Sequence, residues 1–170
     1  MELMRARGVY MANCPQSNMN LSSGIAPVRK FLDKGIPVGL GSDVAGGCHP
    51  SIFRAMTDAI QASKMHWRLV DEQDAPLTLA EAFYLATVGG GSFFGKVGSF
   101  AEGYELDAVV IDDASIATVE PLAIEDRLAR VAYLSEDRNI KQKVVRGQAI
   151  LPQQPEKGGD RGSRSLCYPP

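Results

Sequence analysis

Residues 14–47, CPQSNMNLSSGIAPVRKFLDKGIPVGLGSDVAGG, decide the architecture. They begin where a short apolar, β-compatible run, VYMANC at 9–14, meets the turn-forming set Pro15, Gln16, Ser17 and Asn18. Pro27 then stands at a helix start, Val28, Phe31 and Leu32 recur at helical spacing, and Gly35 stands where a helix would stop. A second apolar strand at 36–40 runs into Gly41, Ser42 and Asp43. Strand, helix, strand in so few residues predicts two parallel strands joined by a crossover, and hence an α/β fold.

Working outward, 51–65 predicts an amphipathic helix with Ile52, Phe53, Met56, Ala59, Ile60 and Ser63 on one face. A polar loop follows at 71–75. Thr78 with Glu81 matches a capping box, and the helix it opens is expected to carry Leu79, Phe83 and Ala86 inward and to end at Gly89, Gly90 and Gly91. From Ser99 the texture changes. Ala108, Val109, Val110 and Ile111 form a compact strand, and IKQKVVRGQAIL at 140–151 predicts a hairpin turning at Gly147. The expected division is 1–98 for the strand–helix units, 99–151 for a small β block, and 152–170 for a disordered tail of Gly, Pro and charge.

Of 170 residues, 45% are hydrophobic and 22% charged, an ordinary globular balance. The net charge of −2 gives no electrostatic case for nucleic acid or acidic lipid as partner. No apolar run reaches the roughly 20 residues that a membrane helix needs. The first residues, MELMRARGVYMANC, do not read as a signal peptide and enter a strand almost at once, as if in the middle of a fold. Three widely spaced cysteines argue against a disulfide framework, so the expected setting is the cytoplasm.

Asp43 is the sharpest chemical candidate. An acid just past a parallel strand lies at the carboxyl end of the sheet, where α/β enzymes assemble their sites. There a carboxylate can bind a metal or take a proton from a bound water; on position alone it can equally cap a turn. Gly46 and Gly47 let the backbone approach a ligand, and His49, Ser17 and Asn18 would shape the pocket loop, although capping and turn formation explain them as well. His66 and Trp67 read as packing or surface residues, Cys14 as a buried strand end, and Cys48 as a small loop residue with no histidine in evidence beside it. No phosphate-binding glycine motif occurs, nor the H-x-E with C-x-x-C of cytidine-deaminase zinc sites.

The 14–47 stretch resembles the last barrel segments of the amidohydrolase superfamily, and within it the guanine deaminases. These carry a CP-x-SN loop, an L-x-SG helix start and a G-L-G-S/T-D-V-x-GG strand end. LTLAEAFYLAT at 77–87, GSFAEGYELDAVVI at 98–111 and EDRNI at 136–140 extend the likeness over about residues 8–150. Asn13 departs from it, since many relatives carry His before the CP pair. The resemblance implies the C-terminal portion of a metal-dependent (β/α)8 TIM-like barrel plus part of a small composite β-sandwich. It further implies a homodimeric enzyme that hydrolyses guanine to xanthine and ammonia through a metal-activated water. The metal is zinc, or iron in some relatives, held by four histidines and one aspartate. Asp43 matches that aspartate. The histidines and the proton-shuttling glutamate belong to motifs absent from this sequence, and neither His49 nor His66 stands at a matching position. Two alternatives stand beside this: a related amidohydrolase acting on another aminopurine, cytosine or a chlorotriazine, and a non-catalytic truncated fragment.

Overall fold

The structure, a computed structural model, describes residues 1–150. The tail expected at 152–170 and Cys167 lie outside the described residues. A five-residue helix, α1 (Glu2–Ala6), leads into strand β1 (Met11–Asn13). Next come α2 (Pro15–Asn20), α3 (Val28–Asp33) and strand β2 (Val38–Leu40). β1 and β2 pair in parallel, Met11 opposite Val38 and Asn13 opposite Leu40. The crossover is bounded as its sequence signals require, with Pro27 at the N-cap of α3 and Gly35 beyond its end at φ +65°.

One local expectation fails at once: residues 15–18 are not a turn but the start of a helix. Pro15 takes its first position, where a fixed φ suits the helix and a missing N–H costs nothing.

The long helix α4 (Ile52–Leu69) is capped by Ser51, whose Oγ accepts the Arg54 N–H. It buries Met56, Ala59, Ile60 and Ser63 as the periodicity predicts, but Ile52 is exposed at its first turn. It also runs on through His66 and Trp67, and His66 is buried. The Thr78–Glu81 capping box forms as expected at α5 (Leu79–Tyr84). The predicted inner face holds in part: Leu79 and Ala86 pack partly buried against the core, but Ala82 and Leu85 are the fully buried residues and Phe83 is exposed. Beyond Tyr84 the backbone widens into a π-helical segment, Leu85–Gly89, and stays helical to 91. The glycine triplet therefore does not end the helix; it lets the helix lie against β2. A Cβ on Gly89 would stand 2.6 Å from the Val38 carbonyl oxygen, and one on Gly39 would stand 2.8 Å from the Gly90 Cα.

Val28, Phe31, Ile36, Val38, Met56, Ile60, Leu77 and Leu85 form the core between the strands and these helices. Burying a side chain of this size stabilises by roughly 1.5–3 kcal/mol. A polar seam ties the same helices together at their rim. Arg29 makes two bonds to Glu81, at 2.7 and 2.8 Å, and donates to the carbonyls of Ala75 and Pro76. Lys30 bonds Asp71 at 2.7 Å. Buried Asp74 places Oδ2 3.4 Å from both Lys30 Nζ and His66 Nδ1, with no hydrogen bond to either.

In the second block β3 (Ala108–Ile111), β4 (Ile140–Val145) and β5 (Gln148–Ala149) form an antiparallel sheet in that order. The hairpin turns at Arg146 and Gly147, both at positive φ, as a type I′ turn requires. The block is not strands alone. Between β3 and β4 runs α6 (Ile124–Leu134), which packs on α4 through a face including buried Val131 and Ala132. Ile124, Leu128, Val131 and Ala132 at helical spacing, with Glu125 and Asp126 in the first turn, were the signal for it. Within the DRN triplet Asn139 organises the chain: its Nδ2 donates to the Asp112 carbonyl and to Ser115 Oγ, and its Oδ1 accepts the Glu136 N–H. Arg138 forms a solvent-exposed ion pair with Glu136 at 2.9 Å.

Candidate functional site: the loop after β2

Register brings the site together. Asn13 pairs with Leu40, and the Gly41 N–H donates to the Asn13 carbonyl, so the carboxyl ends of both strands finish side by side. α2 starts from one and the loop at 43–48 from the other.

Asp43 opens that loop at φ +47°, a left-handed conformation that Asp and Asn adopt more readily than other side chains. Its carboxylate meets α2, where buried Ser17 donates from Oγ to Asp43 Oδ2 at 2.5 Å, a short charge-assisted bond. Among the described residues the other oxygen, Oδ1, has no hydrogen-bond partner and Asp43 has no ion pair. Two further side chains of α2 grip the same loop. Gln16 Oε1 accepts the Cys48 N–H at 2.7 Å, and Asn20 Nδ2 donates to the Gly46 carbonyl at 2.9 Å. The loop closes on itself through the Gly47 N–H and the Asp43 carbonyl at 2.6 Å.

Gly46 and Gly47 are needed for closeness. A Cβ on Gly46 would stand 2.8 Å from Ser17 Oγ and 2.9 Å from Asp43 Oδ2; one on Gly47 would run into the Ser42 carbonyl oxygen. So the structure brings four of the six sequence-predicted residues, Ser17, Asp43, Gly46 and Gly47, into one contact set. Asn18 makes none of these contacts and instead lines a small cavity with Asn13, Gly24, Ala59 and Ser63. His49 lies exposed beyond Cys48 on the side of Asp58, whose carboxyl is pushed up by burial against the pull of His49 and Arg54.

Gln16 and Asn20 escaped the sequence reading. Their only signal is that 16, 17 and 20 fall within an arc of about 100° on a helix. Cys14 is partly buried beside the site; burial pushes its thiol up and the Asp43 charge adds to that, which disfavours the thiolate. Among the described residues no three of His, Cys, Asp and Glu come together as a metal site. The residues present do not by themselves fit the metal that the resemblance implies. What the arrangement can do is hold one carboxylate by one oxygen and offer the other to a proton.

The amidohydrolase family profile matches residues 1–150. The guanine deaminase of Dictyostelium discoideum is 36% identical over 156 residues, covering 88% of this chain and 34% of its own length. A probable guanine deaminase of Schizosaccharomyces pombe is 39% identical over 158 residues, covering 88% of this chain and 30% of its own. The crystal structure of the C. acetobutylicum guanine deaminase, with guanine bound in its active site, superposes with a TM-score of 0.84 at 47% identity, over 88% of this chain and 36% of that one. The chain thus spans only 30–36% of the length of these relatives. Within that span it carries the strand pair, the crossover and the strand-end acid, and it belongs to the amidohydrolase family.

Proposed function

We propose that this chain works as the C-terminal part of a hydrolytic guanine deaminase, joined to a remainder such as its relatives possess. What supports the reading is one observation: Asp43, at the carboxyl end of β2, is bonded on one oxygen and free on the other, in a stretch that resembles guanine deaminases. Water adds to the purine carbon that carries the amino group, and its proton passes to Asp43 Oδ1. The proton held by Asp43 passes to the amino nitrogen as the C–N bond breaks, so ammonia leaves; the remaining hydroxyl proton moves to the ring nitrogen, and the ring carbon keeps the oxygen as the carbonyl of xanthine. Ser17 and Asn18 of α2, with Gly46, Gly47 and His49 in the segment after β2, shape that side of the pocket, Ser17 through its bond to Asp43 rather than through contact with substrate. The reading also calls for zinc, or iron as in some relatives, with Asp43 the one ligand this chain offers. It carries with it a homodimer, a cytoplasmic setting, and residues 1–98 as barrel with 99–151 as part of a small β domain. Among the described residues no helix is long and apolar enough to cross a membrane.

The test is guanine-dependent ammonia release, measured on the 170-residue chain alone and on the chain joined to the N-terminal remainder of a guanine deaminase. Turnover is expected only in the joined form. Turnover by the chain alone would overturn the requirement for further ligands. Faster hydrolysis of another aminopurine, cytosine or a chlorotriazine than of guanine would sink the substrate assignment.

A further inference from the structure

α2 is a poor helix by ordinary standards. It has six residues, no side-chain cap, and at 16, 17 and 20 no apolar side chain to bury. All three of those side chains are instead spent on the loop at 43–48, each on a different kind of group: a backbone N–H, a carboxylate oxygen and a backbone carbonyl. The two glycines that a Cβ would push off Ser17, Asp43 and Ser42 show how tightly the halves fit.

We propose that Gln16, Ser17 and Asn20 are positioning residues that set the Asp43 carboxylate. The proposal rests on the reading of Asp43 as the proton acceptor. Ser17 has one hydroxyl proton and gives it to Oδ2, so it fixes the carboxylate rotation and leaves Oδ1 outward. Gln16 and Asn20 act one step further back, by holding Cys48 and Gly46 so that the loop keeps Asp43 at its left-handed φ. None of the three needs to touch substrate. Their loss therefore lowers the fraction of enzyme with the acceptor aligned, which reduces kcat and leaves KM nearly unchanged.

The experiment uses the intact enzyme that carries this chain. kcat and KM for guanine are measured together with hydrogen exchange of the Cys48 amide, in Ser17→Ala, Gln16→Ala, Gln16→Glu and Asp43→Asn. Ser17→Ala is expected to lower kcat about tenfold to a hundredfold with KM held within about threefold. Gln16→Ala is expected to lower kcat about tenfold and to speed Cys48 exchange at least about tenfold. Gln16→Glu keeps an oxygen acceptor for the same N–H and restores the protection. Asp43→Asn at wild-type kcat overturns the reading of Asp43 itself. Asp43→Asn inactive, with Ser17→Ala and Gln16→Ala within twofold of wild-type kcat or changed only in KM, overturns the clamp and leaves that reading standing. Should Ser17→Ala not fold, Gln16→Ala decides alone: faster Cys48 exchange with kcat unchanged counts against the clamp, and with kcat lowered counts for it.

Discussion

Asp43 and Glu81 are both carboxylates at the ends of regular elements, and they are treated in opposite ways. Glu81 is saturated: it takes a bidentate Arg29, the Thr78 N–H and the Thr78 hydroxyl, and its pKa is lowered to about 2, chiefly by the Arg29 bonds. Asp43 receives one hydroxyl on one oxygen and no cation among the described residues. A carboxylate whose lone pairs are all engaged is poor at accepting a proton, and one left half-engaged is available for chemistry. On the proposed reading, the difference separates an acid that holds helices together from one that accepts a proton.

That contrast predicts a double dissociation, and it is the largest effect expected. Asp43→Asn keeps the shape, tolerates the same φ and still offers Ser17 an oxygen, so stability should stay within about 0.5 kcal/mol. Guanine turnover of the intact enzyme should fall at least about a thousandfold. Glu81→Gln should do the reverse, leaving kcat within about twofold while lowering the urea midpoint. Equal losses of stability in the two variants would erase the distinction.

The next effect tests the Glu81 side through its partner. Arg29→Ala leaves Glu81 and the carbonyls of Ala75 and Pro76 without their donor, at an expected cost of about 2 kcal/mol in urea unfolding. The pH dependence carries the same signature. Glu81 sits at about 2 in the folded chain against its ordinary 4.5, so folding favours the ionised form. Its contribution is fully present above about pH 4.5 and is lost as pH falls from there towards 2. With 32% of the Glu81 side chain exposed, screening keeps this to about 1–2 kcal/mol. In Arg29→Ala the melting temperature should fall less steeply across that acid range than in the wild type.

The same division explains what could be read in advance. The β1–α3–β2 unit, the Thr78–Glu81 cap and the Gly147 hairpin were legible because each is specified locally, by apolar periodicity or by a backbone need at one residue. α2 carries no helical signal in the sequence because its side chains serve a loop some thirty positions away, so it shows no apolar period. Gly89, Gly90 and Gly91 looked like a helix stop, but their reason is the approach of the helix to β2 and of Gly91 to the Val97 carbonyl. Asp43 was found from its strand-end position; its Ser17 partner in this geometry, and the roles of Gln16 and Asn20, needed the register of Asn13 with Leu40.

The smallest expected effect is the sharpest check on reasoning from distances. Arg68 lies 2.7 Å from Glu72, the same separation as Arg29 Nη1 from Glu81 Oε1. Yet both side chains of the Arg68 pair are more than two-thirds exposed, only one bond is made, and water competes for both charges. The Arg29 side chain is 18% exposed and its guanidinium fork meets both carboxylate oxygens. Arg68→Ala should therefore cost less than about 0.5 kcal/mol, part of it from removing a cation from the last turn of α4, and the cost should shrink further at 0.5 M salt, roughly five times the ionic strength at which the screening length is already about 10 Å. A loss near that of Arg29→Ala would mean that proximity, and not saturation or burial, ranks these carboxylates, and the separation of Glu81 from Asp43 would lose its physical basis.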